Sequence, residues 1–150
     1  MRVVVQRVSR AAVRVDGEIR GRSERGYLCL VGLARGDTEV EMSWMARKIP
    51  ALRLFDDEEG RLNLCLGEVH GRVLAVSQFT LLGAARKGRR PSWEAAMPPS
   101  EAGIAFQRFV DLLAAEVGSV ETGVFGARME VELINDCPVT LVLDRLPAPG

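Results

Sequence analysis

The chain has 150 residues, 47% of them apolar and 27% charged, the proportions of one soluble globular domain. No apolar stretch is long enough to cross a bilayer and the N-terminus carries no signal-peptide pattern, so a cytoplasmic protein is expected. Formal net charge is zero, so the total announces no general adhesion to nucleic acid, although residues 1–25 hold seven arginines against three acids.

Strand signals come first, over Val3 to Val8 and Ala12 to Val15, with Asp16-Gly17 as a hairpin turn before Glu18 to Arg20. Tyr27 to Leu33 reads as a buried strand. A helix follows: Thr38 and Glu41 have capping-box spacing, Val40, Trp44, Met45 and Ile49 form the apolar stripe, and Pro50 marks the end. Leu52 to Phe55 and Leu62 to Leu66 are short strands around the acidic turn Asp56-Asp57-Glu58-Glu59-Gly60. Arg72 to Leu82 reads as one long buried strand. A second helix enters at Pro98-Pro99-Ser100, carries Phe106, Phe109, Val110, Leu113 and Val117 on one face, and ends near Gly118. Two late strands follow, around Val131–Leu133 and over Val139 to Leu143, with Pro138 starting or interrupting the second.

These elements predict a mixed α/β domain, α+β-like, with two main helices packed on largely antiparallel sheets. Nothing divides the chain, so residues 1–150 form a single domain with 145–150 as a flexible tail.

Three cysteines without a C-x-x-C pair, and one histidine, argue against a disulfide framework, a structural zinc site or a multi-histidine metal centre. No metal and no cofactor is expected. G-x-G-x-x-G, Walker A, G-x-S-x-G and H-E-x-x-H patterns are absent. His70 lies in the loop-like Glu68-Val69-His70-Gly71 and reads as an exposed turn residue rather than a catalytic base.

Two segments stand out. Ser77-Gln78-Phe79-Thr80-Leu81 places three hydrogen-bonding side chains at the end of an apolar strand, and buried polar groups need partners; they either serve a site or are satisfied internally. Asn135-Asp136-Cys137-Pro138-Val139-Thr140 sets a proline between strand-like stretches, where it removes a ladder donor; an edge strand, a tight turn or a cis bond would each accommodate it. Arg86-Lys87-Gly88-Arg89-Arg90 is a basic knot, either a solvated loop or a phosphate-binding face.

Taken together, the two segments resemble the S-Q-F-T-L and N-x-G-P-V-T signatures of the D-aminoacyl-tRNA deacylases, also called D-tyrosyl-tRNA deacylases. The resemblance extends to Gln6-Arg7-Val8, Arg90-Pro91-Ser92-Trp93 and Gly123-Val124-Phe125, and covers nearly the whole chain to about residue 143. It implies a homodimer with active sites at the subunit interface, acting on D-aminoacyl-tRNA as a chirality proofreading step, with glycine mischarged onto tRNA as a second candidate substrate. By the resemblance, Ser77, Gln78, Phe79 and Thr80 form the catalytic pocket, and Cys137-Pro138 is a cis-proline motif reaching into the partner's pocket to exclude L-amino acids. Arg7 orients that motif, with Asn135, Val139, Thr140 and Phe125 in support. Arg86, Lys87, Arg89 and Arg90 are candidates for tRNA phosphates.

One position departs from the signature. Cys137 stands where the family has glycine, a residue that tolerates positive φ and close backbone approach. It motivates one alternative, an editing deacylase with altered stereochemical preference; a second, of a different class, is a catalytically weak tRNA-binding dimer that keeps the fold but not the turnover.

Overall fold

The computed structural model describes residues 1–86, 88–145 and 147. Lys87 and most of the expected tail (146 and 148–150) lie outside the described residues.

Strand β1 (Arg2–Val15) runs without a break through the two strands expected there. Its second half returns through Asp16 (φ 51°) and Gly17 (φ 80°) into β2 (Glu18–Ser23), two successive left-handed residues that match the twist of a hairpin. Its first half pairs antiparallel with β3 (Gly26–Gly32), from Arg2↔Gly32 to Val8↔Gly26.

Helix α1 (Glu39–Ala51) begins where the capping-box spacing placed it. The Thr38 amide and hydroxyl both donate to Glu41 Oε2, at 2.8 and 2.7 Å, and the Val40 amide donates to Thr38 Oγ1 at 3.2 Å. Those bonds hold the Glu41 carboxyl below its ordinary range, the hydroxyl contributing most. A carboxyl whose pKa falls on folding stabilises the fold above its unfolded value, about 4.3, and loses that contribution as pH drops through the folded value. Thr38→Ala is therefore expected to cost about 1 kcal/mol in urea unfolding at pH 7, and less at pH 3; an equal penalty at both would separate the cap from Glu41's charge.

Two short strands, β4 (Phe55–Asp56) and β5 (Leu62–Leu64), form a separate ribbon, each shorter than expected. β6 (Arg72–Ser77) then pairs parallel with β3, from Gly26↔Arg72 to Val31↔Ser77. The long strand expected to reach Leu82 stops there, because β3 ends at Gly32 and leaves no partner. The Gln78 amide makes the last sheet bond, to the Val31 carbonyl at 2.7 Å, and Phe79–Leu82 winds into a 3₁₀ turn. That turn lies against Gly32, where an added Cβ would sit 3.2 Å from both the Gln78 carbonyl oxygen and Leu81 Cβ.

Helix α2 (Pro99–Val117) follows, then β7 (Glu121–Thr122), parallel to β6, and β8 (Glu130–Asp144), antiparallel along the whole of β1. The sheets are largely antiparallel, as expected, but the main one also holds a parallel part that the sequence did not announce: β3, β6 and β7 run parallel, as expected when helical crossovers join neighbouring strands.

Both helices cover one face. Phe106, Phe109 and Leu113 of α2 and Met42, Met45 and Ile49 of α1 pack on Val3, Val5, Tyr27, Cys29, Val31 and Ala75. Val8, Ala11, Val13, Leu28, Leu74 and Val76 form a second cluster. β1 passes from the first cluster to the second between Val5 and Val8, and the bulge between Val8 and Arg10 then brings Ala11 and Val13 to the side of Val8. Cys29 lies wholly inside the first, and burial pushes its thiol up to about 12, so it stays a small apolar side chain. No helix among the described residues is long and apolar enough to cross a membrane.

Candidate active site

The end of β6 opens into a cavity of about 550 Å³, walled by Val76, Ser77, Gln78, Phe79, Trp93, Met97, Pro98, Ala102, Phe125, Met129 and Val131. Three of the four residues expected to form the catalytic pocket, Ser77, Gln78 and Phe79, line it directly. Thr80 stands beside them, its hydroxyl accepting a hydrogen bond from Gln78 Nε2. The change from strand to 3₁₀ turn matters here. In such a turn the first N–H with an internal partner belongs to the fourth residue: the Leu81 amide donates to the Gln78 carbonyl at 3.2 Å. The Phe79 and Thr80 amides thus start the turn with no partner inside it.

Aromatic contacts shape the wall. Phe79, half exposed, meets Trp93 edge-on at 5.5 Å, and Phe125 packs against Phe106 at 6.3 Å. Chain pairing fixes the far side: the Met97 amide donates to the Leu33 carbonyl and the Arg35 amide to the Ala95 carbonyl, both at 2.9 Å. Met97, Met129, Val131 and Ala102 were not singled out in the sequence, where an apolar lining residue reads as core. Arg35 was missed too, and among the described residues it is the one charged residue lining the cavity.

The second motif lies elsewhere on the chain. Along β1 and β8 the register runs Gln6↔Thr140 and then Val8↔Asn135, so Asp136 to Val139 bulge out opposite the single residue Arg7. Pro138 has no N–H for the ladder, and the Asn135 side chain takes over: its Oδ1 accepts from the Val139 amide at 3.2 Å and its Nδ2 donates to Thr140 Oγ1 at 3.0 Å. Gln6 Nε2 also donates to Thr140 Oγ1, at 3.4 Å.

Arg7, only 2% exposed, underpins the bulge. Its Nε faces Asp136, 3.4 Å from the carbonyl oxygen and 3.2 Å from Oδ2, while Nη1 donates to the Leu54 carbonyl at 2.7 Å and reaches Asp56 Oδ2 at 3.3 Å. The arginine thus holds the residue before Cys137 rather than the Cys137-Pro138 carbonyls themselves.

The cis expectation is corrected: no described peptide bond is cis, including the one before Pro138. The chain turns instead at Cys137, whose φ of 93° lies in the region that favours glycine, and both Cys137 and Pro138 are exposed. A Cβ there costs roughly 1–2 kcal/mol, whereas glycine loses about 0.5–1 kcal/mol more chain entropy on folding. Cys137→Gly is therefore expected to stabilise the protein by up to about 1 kcal/mol, read as a higher urea midpoint at unchanged slope; a lower midpoint would contradict the strained φ.

A single chain does not bring the two motifs together. From β8 to β6 is three strand spacings, across β1 and β3, and from the level of Arg7 to that of Val3, which leads through Val31 to Ser77, is four residues along the strand. Strand geometry makes the separation on the order of 20 Å.

The basic knot is a loop closed by reciprocal Ala84 and Ser92 backbone bonds of 2.9 Å, next to Trp93 at the cavity wall. Arg86, Arg89 and Arg90 are exposed on it. His70, exposed with φ 52°, sits in the turn before β6 and is not among the residues lining the cavity. Among the described residues no three His, Cys, Asp or Glu side chains gather into a metal-holding cluster.

Comparison with known proteins agrees with the motifs. The family described as D-Tyr-tRNA(Tyr) deacylase matches residues 4–144. A D-aminoacyl-tRNA deacylase of Geobacter metallireducens is 49% identical over 100% of this chain and 99% of its own length, and that of Kosmotoga olearia is 55% identical over 96% and 97%. A solved structure titled c-Myc DNA Unwinding Element Binding Protein superposes with a TM-score of 0.91 at 38% identity, covering 97% of this chain and 99% of the other. A probable eukaryotic D-amino acid tRNA deacylase shares the fold, with a TM-score of 0.83 at 18% identity over 96% and 98%. With a family match spanning both motifs and relatives near half identical along the whole chain, this protein belongs to the D-Tyr-tRNA(Tyr) deacylase family.

Proposed function

We propose that this protein hydrolyses the ester joining a D-amino acid to tRNA, releasing the free amino acid and tRNA, as a cytoplasmic homodimer. The observation that carries the reading is the cavity at the end of β6, lined by Ser77, Gln78 and Phe79 where the strand gives way to a 3₁₀ turn, in a chain of this family.

The chemistry follows from what the cavity holds. Attack on an aminoacyl ester puts negative charge on the carbonyl oxygen, and preorganised N–H donors stabilise it. The Phe79 and Thr80 amides supply those donors, with Gln78 held in place by Thr80. Among the described residues no histidine or carboxylate lines the cavity to act as base for Ser77 or Thr80. The nucleophile is water, positioned by the pocket and assisted by the 2′-hydroxyl of the tRNA's terminal ribose. A trapped acyl-Ser77 or acyl-Thr80 ester would overturn this mechanism.

The separation of about 20 Å between the motifs supports a shared site, in which the Cys137-Pro138 bulge of one protomer screens the other's pocket. β8 offers the surface for such pairing: it is a 15-residue edge strand with Ile134 47% and Val142 60% exposed, the kind of edge that recruits another chain. Arg7, Asn135, Val139 and Thr140 brace the bulge, and Arg86, Lys87, Arg89 and Arg90 meet tRNA phosphates.

Purified protein and its Gln78→Ala variant, incubated with a D-aminoacyl-tRNA, test the reading through release of free amino acid. Turnover by the parent with a loss of about 100-fold in the variant supports it. Equal release by both would remove the cavity from the chemistry.

A further inference from the structure

We propose that Arg35 is an anion subsite at the cavity, holding a phosphodiester of the tRNA's terminal nucleotides. The proposal rests on the reading of the cavity as an aminoacyl-tRNA site and extends it to a residue outside both motifs.

Three observations converge. Among the described residues Arg35 is the one charged residue lining an otherwise apolar cavity, where Ser77 and Gln78 are the other strongly polar ones. Its position is set by backbone pairing, through the 2.9 Å bond from its amide to the Ala95 carbonyl. Its side chain is also tethered: Nε donates to the Glu94 carbonyl at 2.7 Å, which fixes the plane of the guanidinium and leaves the two Nη groups as the free end of the fork. A planar fork held from behind suits two oxygens of one phosphate.

The chemistry of the substrate selects the ligand. An aminoacyl ester carries an α-amino group, which a guanidinium repels, and a neutral ester, which needs no cation. The anions it can offer are the phosphodiesters next to the terminal adenosine and, in acidic amino acids alone, a side-chain carboxylate. The same face leads to the basic loop: the Ala84 and Ser92 bonds close it one residue before Trp93, itself on the cavity wall. Arg35 is thus the inner end of a basic path whose outer end is Arg86, Arg89 and Arg90.

The test compares two esters of the same neutral D-amino acid, one on tRNA and one on adenosine alone, which has no phosphate. Arg35→Gln is expected to lower kcat/KM on the tRNA ester about 10-fold or more beyond any loss on the adenosine ester. The loss should lie in KM, and Arg35→Lys should recover only part of it. Equal losses on both esters, or none on tRNA, would overturn the assignment while leaving the function intact. A loss confined to a D-aspartyl ester, on tRNA and adenosine alike, would give Arg35 to the side-chain carboxylate instead. A parent protein that hydrolyses neither ester would sink the functional reading itself, and the subsite with it.

Discussion

Replacing Arg7 by methionine is expected to lower stability by about 2–4 kcal/mol and to cut hydrolysis of a D-aminoacyl-tRNA about 100-fold. Methionine roughly fills the volume, so the loss is chiefly polar. The Leu54 carbonyl, bound at 2.7 Å by the buried guanidinium, is left without that donor. Asp56 and Asp136 are about half exposed and rehydrate when released, which keeps the stability loss below that of a fully buried ion pair. The effect on activity is larger for a geometric reason. Asp136 to Val139 face Arg7 alone on β1, so without it the bulge is left to the Asn135–Val139 bond and the bonds of Asn135 and Gln6 to Thr140 at its edge, and a shift of about 1 Å in a screening element is enough for such a loss. Urea unfolding and single-turnover hydrolysis check the two halves. Arg7→Lys keeps the charge without the fork, and is expected to recover more stability than activity. Activity within a few-fold of the parent in Arg7→Met would remove the bulge from the reaction.

Gly26→Ala is expected to be the most damaging small substitution, at about 3–5 kcal/mol and a fall in Tm of roughly 10 °C. Gly26 begins β3 with φ 156° and lies opposite Arg72 in the parallel pairing with β6. An added Cβ would overlap the Arg72 carbonyl oxygen and meet its amide nitrogen at 2.5 Å, and neither backbone atom can yield without moving β6. Since β6 ends in Ser77 and Gln78, the same displacement should reach the cavity, and activity should fall even below the melting temperature. Thermal unfolding with an activity assay at 25 °C checks this; a Tm within about 2 °C of the parent would show that the parallel pair tolerates the methyl group.

The parts of this fold that were legible in the sequence are those with local physical causes. Thr38 and Glu41 announced α1 because a capping box is a spacing, and Asp16-Gly17 announced the hairpin because few residue pairs accept two left-handed conformations. Phe106, Phe109 and Leu113 announced α2 through their period. What stayed hidden depends on pairing. Nothing local shows that β1 and β8 each continue through bulges, since Pro138 reads as an interruption until the Asn135 amide is seen replacing the ladder. The stop at Ser77 is set by where β3 ends, not by Phe79 to Leu82, which remain as apolar as a strand. For the same reason the motif residues were recognisable while Met129, Val131 and Arg35 were not. Their place in the cavity comes from long-range pairing, and an isolated arginine carries no signal of what it faces.

Stereoselective hydrolysis of the aminoacyl ester is read out by the release of amino acid from matched D- and L-tyrosyl-tRNA, with glycyl-tRNA alongside. Rapid release is expected from the D-ester, with the L-ester spared although Cys137 occupies the position of the family glycine. Equal release from the D- and L-esters would contradict the screening role of the Cys137-Pro138 bulge, and no release from any of the three would contradict the enzyme itself.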